Sequence, residues 1–330
     1  DPWVVTAGGK YYLCGSDGTS IFLKQSVRLQ DIANADPFFI WTPPEGTSYS
    51  KNVWAPELHY LDGRWYVYFA ADDGDNINHR MYVLEGGTDA NDPFNGTYIF
   101  KGKISDSSDN WAIDGTVMIY EGNKYFIWSG WANSTTYIQN LYIAPMSNPW
   151  TISGPRVEIS RPEYDWEIPD TGGGINEGPE VLIKDDTVCI IYSANGSWTD
   201  DYCLGQLKLT GTDVLSKSSW TKKSSPAFEK TDQVFGPGHC CFVKSLDGTE
   251  DWIVYHAAKA SGAGWDRNLR MQKFTWNSDN TPNFGAPAYP GTAIEEPSGT
   301  QALPARIEAE SAAMYNCYAG YETNASGAQV

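Results

Sequence analysis

A chain of 330 residues can bury a large core, as one big domain or two ordinary ones. Its formal net charge of −18 makes nucleic acid a poor partner, because phosphate binding calls for a basic surface; a neutral polymer such as a polysaccharide sets no such demand. No run approaches the ~18 apolar residues of a membrane-spanning helix, so no membrane partner is expected.

Aromatic residues reach 14%, Gly and Pro punctuate short β-rich runs, and no apolar stretch of helical period continues for long, which together predict an all-β protein. The chain opens abruptly in strand-like sequence, Asp1-Pro2-Trp3-Val4-Val5, and reads as a mature or trimmed start. One element then recurs: a Gly/Asp turn followed by an aromatic or β-branched strand. It is Gly9-Lys10-Tyr11-Tyr12-Leu13, then Gly63-Arg64-Trp65-Tyr66-Val67, then Asn123-Lys124-Tyr125-Phe126-Ile127. It returns as Asp186-Thr187-Val188-Cys189-Ile190 and Glu250-Asp251-Trp252-Ile253-Val254. With Tyr11, Trp65, Tyr125, Val188 and Trp252 equivalent, the spacings are 54, 60, 63 and 64 residues. A period in that range with several strands per unit predicts a β-propeller of five four-stranded blades over residues 1–290. Two β-sandwiches would lack the long rhythm.

The strand ahead of each hairpin lines the axis of such a ring, so equivalent positions on it converge. Ten to thirteen residues before the five marker positions stand Asp1, Trp54, Asp114, Glu177 and His239. Three carboxyls, an aromatic platform and a histidine in one funnel suit a glycosidase site. Glu177 lies in Gly174-Ile175-Asn176-Glu177-Gly178-Pro179, where two glycines and a proline pin the backbone after the Gly-rich Asp170-Thr171-Gly172-Gly173; Asn176 joins it as a candidate sugar-binding residue. The acidic loop Asp72-Asp73-Gly74-Asp75-Asn76 lacks the spaced final Glu of a calcium loop and reads as a solvated turn. Trp65, Trp128, Trp252 and Trp276 read as sheet-packing residues.

Of the six cysteines, none falls in a CxxC pair, so bridges or buried thiols are expected rather than zinc, with Cys189 and Cys203 candidates to bridge neighbouring strands. Sequons at Asn95, Asn133, Asn195 and Asn324 fit a secreted glycoprotein. Beyond Pro290 the composition becomes linker-like over 291–304, followed by 305–330.

In Asp1-Pro2-Trp3-Val4, Trp54-Ala55-Pro56-Glu57-Leu58, Ile113-Asp114-Gly115, Glu177-Gly178-Pro179, Gly238-His239 and Asp266-Arg267, the chain resembles glycoside hydrolase family 43, the five-bladed propeller enzymes acting on arabinose- and xylose-containing glycans. The opening motif and Gln272-Lys273-Phe274-Thr275-Trp276-Asn277 are similar to the exo-acting α-L-arabinofuranosidases of that family. The resemblance implies inverting hydrolysis of terminal arabinofuranosyl units from plant cell-wall arabinan or arabinoxylan, by a secreted monomer. It implies Asp1 as general base, Glu177 as general acid and Asp114 as the carboxyl that raises and orients that acid. It further implies Trp54, His239 and Arg267 as sugar-binding residues, with Arg270 the competitor of Arg267. No cofactor is required for this chemistry, although the family also suggests a structural calcium ion on the axis beside His239. Family members carry residues ahead of the base; an α-amino group directly on Asp1 would lower its carboxyl pKa and loosen its position.

Within the same fold the rivals are β-xylosidase and endo-arabinanase. A retaining fructan-type propeller would want an Asn-Asp-Pro-Asn opening and a Glu-Cys-Pro acid motif. A non-catalytic propeller lectin would lack part of the carboxyl trio. Ala305-Arg306-Ile307-Glu308-Ala309-Glu310 resembles the opening strand of a carbohydrate-binding module of family 6, which 305–330 is too short to complete.

Overall fold

The computed structural model describes residues 1–300. Five antiparallel sheets form in chain order, each from consecutive strands. The innermost strands are Trp3–Ala7, Lys51–Leu61, Ala112–Tyr120, Asn176–Lys184 and Phe235–Lys244. The recurring hairpin of the sequence is the turn into the second strand of every blade: Lys10–Ser16, Arg64–Asp72, Asn123–Gly130, Thr187–Ala194 and Asp251–Ala258. The first two turns use left-handed residues, Gly8 with Gly9 and Asp62 with Gly63, which lets two strands reverse tightly. Among the described residues no helix is long and apolar enough to cross a membrane.

The second strands are covered on both faces by neighbouring blades. That is why Trp65 through Asp72 is buried without interruption and reads as a continuous aromatic and aliphatic run. A rim strand such as Ile99–Ile104 alternates instead, one face in and one face out. The third blade departs from the expected four strands. Its outer edge is split into Thr151–Ile152 and Val157–Ser160, both paired to Asn140–Asn148. Pro155 stands in the gap, and with no N–H to give it cannot continue a ladder.

Five apolar clusters fill the five blade-to-blade interfaces. Tyr12 and Trp65 share one between the first and second blades, and Tyr68 and Trp128 one between the second and third. Ile127 and Ile190 join the third to the fourth, and Ile191 and Ile253 the fourth to the fifth. The last cluster, with Val4, Tyr11, Val243 and Trp252, joins the fifth blade to the first. The ring therefore closes by packing rather than by lending a strand, and the Val4 N–H reaches the Cys241 sulfur at 3.2 Å across that seam. Trp65, Trp128 and Trp252 are buried and Trp276 packs against a core cluster, as their spacing predicts.

Two sequence expectations are corrected here. Of the expected bridges or buried thiols, the five cysteines among the described residues are the latter, free and buried, and the suggested Cys189–Cys203 bridge is the part corrected. Cys189 lies opposite Lys208 and Cys203 opposite Ala194; they serve different interfaces on opposite faces of the fourth blade and cannot bridge. Asn195 is withdrawn as a glycan acceptor. It is buried, and its carboxamide oxygen accepts from Gly196 N–H at 2.7 Å and Thr199 Oγ1 at 3.0 Å. Asn95 and Asn133 are exposed.

The expected linker has no strand or helix over 291–300, yet it is tied to the ring. Ser298 donates from its Oγ to Asp247 at 2.7 Å and from its N–H to Glu250 at 3.0 Å, and Glu296 pairs with Arg28. The suggested start of a carbohydrate-binding module, 305–330, lies outside the described residues, as do Cys317 and Asn324.

Candidate active site

At one end of the axis the inner ladders of the second to fifth blades all break. Pairing slips between Trp54 and Glu57, opposite the third blade's inner strand between Ile127 and Ser129, between Glu177 and Glu180, and between Gly238 and Cys241. Within each break one residue takes a left-handed backbone: Ala55 (φ 41°), Asp114 (φ 52°), Gly178 (φ 51°) and His239 (φ 43°). For an L-residue this costs ~1–2 kcal/mol, a bulge that re-aims side chains at the expense of the ladder. It also refines the equivalence read from the sequence. Asp114 and His239 occupy the bulged position itself, whereas Trp54 and Glu177 stand one residue before it.

Glu177 is buried, and its Oε1 accepts the Tyr202 hydroxyl at 2.8 Å. Burial pushes its pKa from 4.5 up to about 7, against the opposing pull of the Tyr202 hydrogen bond, the Arg267 charge and a hydrogen bond from Gln139. The Ser129 hydroxyl holds Gln139 in turn, at 3.1 Å. Asp114 reaches from the third blade to the fourth, its Oδ2 accepting the Gly178 N–H at 3.1 Å. Its pKa is raised, by burial first and then by the neighbouring Glu177 charge. A side chain on Gly178 would put its Cβ 3.3 Å from both His239 Nδ1 and Ser193 Oγ, so glycine relieves crowding there as well as the strain of a left-handed φ. Ser193 Oγ accepts the His239 N–H at 2.9 Å, locking the bulges of the fourth and fifth blades together.

The Asp1 carboxyl is partly open to solvent and sits among three nitrogen groups. Its Oδ1 lies 3.3 Å from His239 Nδ1, 3.4 Å from His256 Nε2 and 3.4 Å from Arg267 Nη2. Burial holds both imidazoles well below the usual histidine range, so they are neutral at pH 7 and Arg267 is the cation of the set. Arg267 Nη1 is 2.7 Å from His256 Nε2, which must accept; the ring proton then rests on Nδ1, a buried atom without a partner among the described residues. Arg270 points elsewhere, toward the Ala288 carbonyl at 3.5 Å, and the choice falls on Arg267.

Trp54 is 36% exposed and stacks on His79 with ring centroids 3.9 Å apart, leaving an aromatic face at the mouth. The acidic loop that reads as a solvated turn supports that platform. Asp72 is fully buried, with Oδ2 2.9 Å from His79 Nδ1, and it accepts from Asn52 at 2.9 and 3.0 Å and from Gly74 N–H at 2.8 Å. Only the later part of the loop, Asp73 and Asp75, faces water.

Asn176 is corrected. It is fully buried, donates to Glu167 Oε1 at 2.8 Å and accepts from Ser160 at 2.6 Å, so nothing of its amide is left for a sugar. Sequence reasoning passed over Tyr202, His256 and Gln139. His256 carried a signal: it is the lone basic residue in the apolar run Trp252-Ile253-Val254-Tyr255-His256-Ala257-Ala258. Tyr202 and Gln139 carried none.

Asp1, His239 and His256 bring one ligand atom each within 4.8 Å of one another. The set does not fit calcium, which takes six to eight oxygens, roughly, where this cluster supplies one carboxylate and two imidazoles. The Arg267 guanidinium also lies against two of the three ligand atoms.

A radial propeller that gathers carboxyls of contrasting environment at one mouth, beside an open indole, is the make-up of a glycoside hydrolase. The sequence description for glycosyl hydrolases family 43 matches residues 1–282, and the chain belongs to that family. It is 38% identical over 296 residues to an extracellular exo-α-(1→5)-L-arabinofuranosidase of Streptomyces avermitilis, covering 86% of this chain and 60% of that protein. The chain thus spans less than two thirds of that relative's length. It is 34% identical to α-L-arabinofuranosidase 43 of Humicola insolens, over 99% of this chain and 68% of the relative. The crystal structure of an α-L-arabinofuranosidase from Lactobacillus brevis superposes with a TM-score of 0.80 at 34% identity, covering 87% of this chain and 94% of that one.

Proposed function

We propose that this chain is an exo-acting α-L-arabinofuranosidase that releases terminal arabinofuranosyl units from arabinan or arabinoxylan with inversion. The observation that carries this reading is the contrast between Glu177, buried with a pKa near 7, and Asp1, solvent-accessible beside Arg267. Glu177 gives its proton to the glycosidic oxygen as the bond to the anomeric carbon breaks. Asp1 takes a proton from a water that attacks that carbon from the opposite face. The products are one free sugar and the shortened glycan, and solvent returns both carboxyls to their starting states. Asp114 accepts the Gly178 N–H within the Glu177 bulge and so orients the acid, while burial and the Glu177 charge raise the pKa of Asp114 itself. Trp54 offers a stacking face for the ring, and His239 with Arg267 lines the wall beside Asp1.

All of this chemistry is assigned to side chains and calls for no cofactor. Relatives named extracellular support secretion of this chain as well; we propose that it acts as a monomer on plant cell-wall glycan. The test is product analysis on arabinan and arabinoxylan with NMR of the fresh anomer. Arabinose released first as the β-anomer supports the reading. Xylose, internal oligomers or a first-formed α-anomer would replace it with a rival.

A further inference from the structure

Two exposed tryptophans at the same end of the ring have no part in the site described above. Trp198 stands in the loop leading to Tyr202, and Trp265 is two residues ahead of Arg267. They are 40% and 66% exposed, a heavy cost in wetted indole for a surface with no core to gain from it. Their rings meet edge to face with centroids 6.1 Å apart. Each ring is held in place. Trp265 Nε1 donates to Ser197 Oγ at 3.0 Å, and the Trp198 ring packs against Gly196, where any Cβ would come within 2.7 Å of it. The loops beneath are tied across the two blades: Asp200 accepts from Ser261 Oγ at 2.5 Å and from Gly262 N–H at 2.8 Å, while its carbonyl accepts from Gly236 N–H at 2.8 Å. A rigid indole corner therefore continues outward from Tyr202 and Arg267, the residues that contact Glu177 and Asp1.

We infer that Trp198 and Trp265 form a glycan-binding subsite outside the catalytic well, which holds the part of an arabinose-containing polymer beyond the sugar being released. Indole faces stack on the C–H faces of sugar rings, and pre-set indoles give up little conformational entropy on binding. The net charge of −18 selects a neutral glycan over an acidic one. The inference rests on the proposed arabinofuranosidase reading for the identity of the sugar, and on the structure alone for the position of the subsite.

The test compares Trp265→Ala and Trp198→Ala with the wild type on debranched arabinan and on an aryl α-L-arabinofuranoside, which has no polymer to bind. The ratio of kcat/KM on arabinan to that on the aryl glycoside should fall about tenfold for Trp265→Ala, mainly through KM, and Trp265→Phe should restore much of it. Affinity electrophoresis in arabinan gels gives the same answer without turnover, as lost retardation. An unchanged ratio with unchanged retardation overturns the subsite, and so does an equal loss on both substrates. If the wild type cleaves neither substrate while the Trp variants still lose retardation, the arabinofuranosidase reading fails and the subsite stands.

Discussion

The two ends of the same inner strands behave differently. Toward the hairpin, pairing is unbroken: Leu58 to Leu61 face Val67 to Arg64, and Val181 to Lys184 face Ile190 to Thr187. Toward the mouth, four of the five ladders slip, left-handed residues intrude, and buried carboxyls replace aliphatic side chains. One end contributes stability through the interface clusters and the other spends it on geometry. The four left-handed residues and the raised acids are tolerable because five clusters of buried aromatic and aliphatic side chains, each such side chain contributing ~1.5–3 kcal/mol of burial, hold the blades independently of the mouth.

The largest effect that separates the two ends is expected at Glu177. Glu177→Gln should lower kcat on natural substrates about a thousandfold while the circular dichroism spectrum is retained. Turnover near the wild-type level would remove the acid assignment. The same variant should be more stable than the wild type at neutral pH. The folded-state pKa of about 7 lies above the ordinary 4.5, so the wild type has its full stability from this group below about 4.5 and loses it as pH rises through about 7. Denaturant titrations should therefore show no gain for the variant at pH 4 and a gain approaching about 3 kcal/mol at pH 8. A variant that is less stable at both pH values would show that the charge is not the costly feature.

Glycines at the two ends give a matched pair. Gly178→Ala adds a Cβ at φ 51° only 3.3 Å from His239 and Ser193, within the bulge that presents its N–H to Asp114. Activity should fall about a hundredfold, with ~1–2 kcal/mol lost in stability. Gly63→Ala, at φ 81° with nothing within 4 Å, should cost a similar ~1 kcal/mol and leave kcat alone. Equal activity losses from both would erase the division between the ends.

That division also sorts what could be read in the sequence. The hairpin ends were legible because turn chemistry and continuous apolar second strands are local signals, and their rhythm gave five blades. Asp114, Glu177 and His239 were found by counting back from those hairpins. The one-residue difference between Trp54 and Glu177 on one side and Asp114 and His239 on the other was not found, because a bulge is a backbone event with no composition of its own. Asn176 was misplaced for the same reason: next to a bulge, proximity in sequence to Glu177 says nothing about which way a side chain is aimed. Tyr202 and His256 come from loops and second strands, outside the set of positions that counting from the hairpin supplies. Asp72 reads as a solvated turn because its partner His79 is seven residues on, across a loop whose closure no local pattern reports.

The subtlest test lies at Tyr202, a positioning residue that reaches the site from outside that counted set. Its hydroxyl donates to Glu177 and opposes the burial that raises the acid's pKa. Removing it in Tyr202→Phe takes away a bond that favours the charged form, so the folded-state pKa rises further. Because the acid works only while protonated, the wild-type rate should decline as pH passes through about 7, and the variant's alkaline limb should move up by about one unit. The orientation lost with the bond should cost kcat about tenfold at pH 5, where both proteins hold the proton. A merely structural tyrosine would lower the rate at every pH without moving the limb, so the displacement of that limb, rather than the loss of rate, decides whether Tyr202 sets the proton on Glu177.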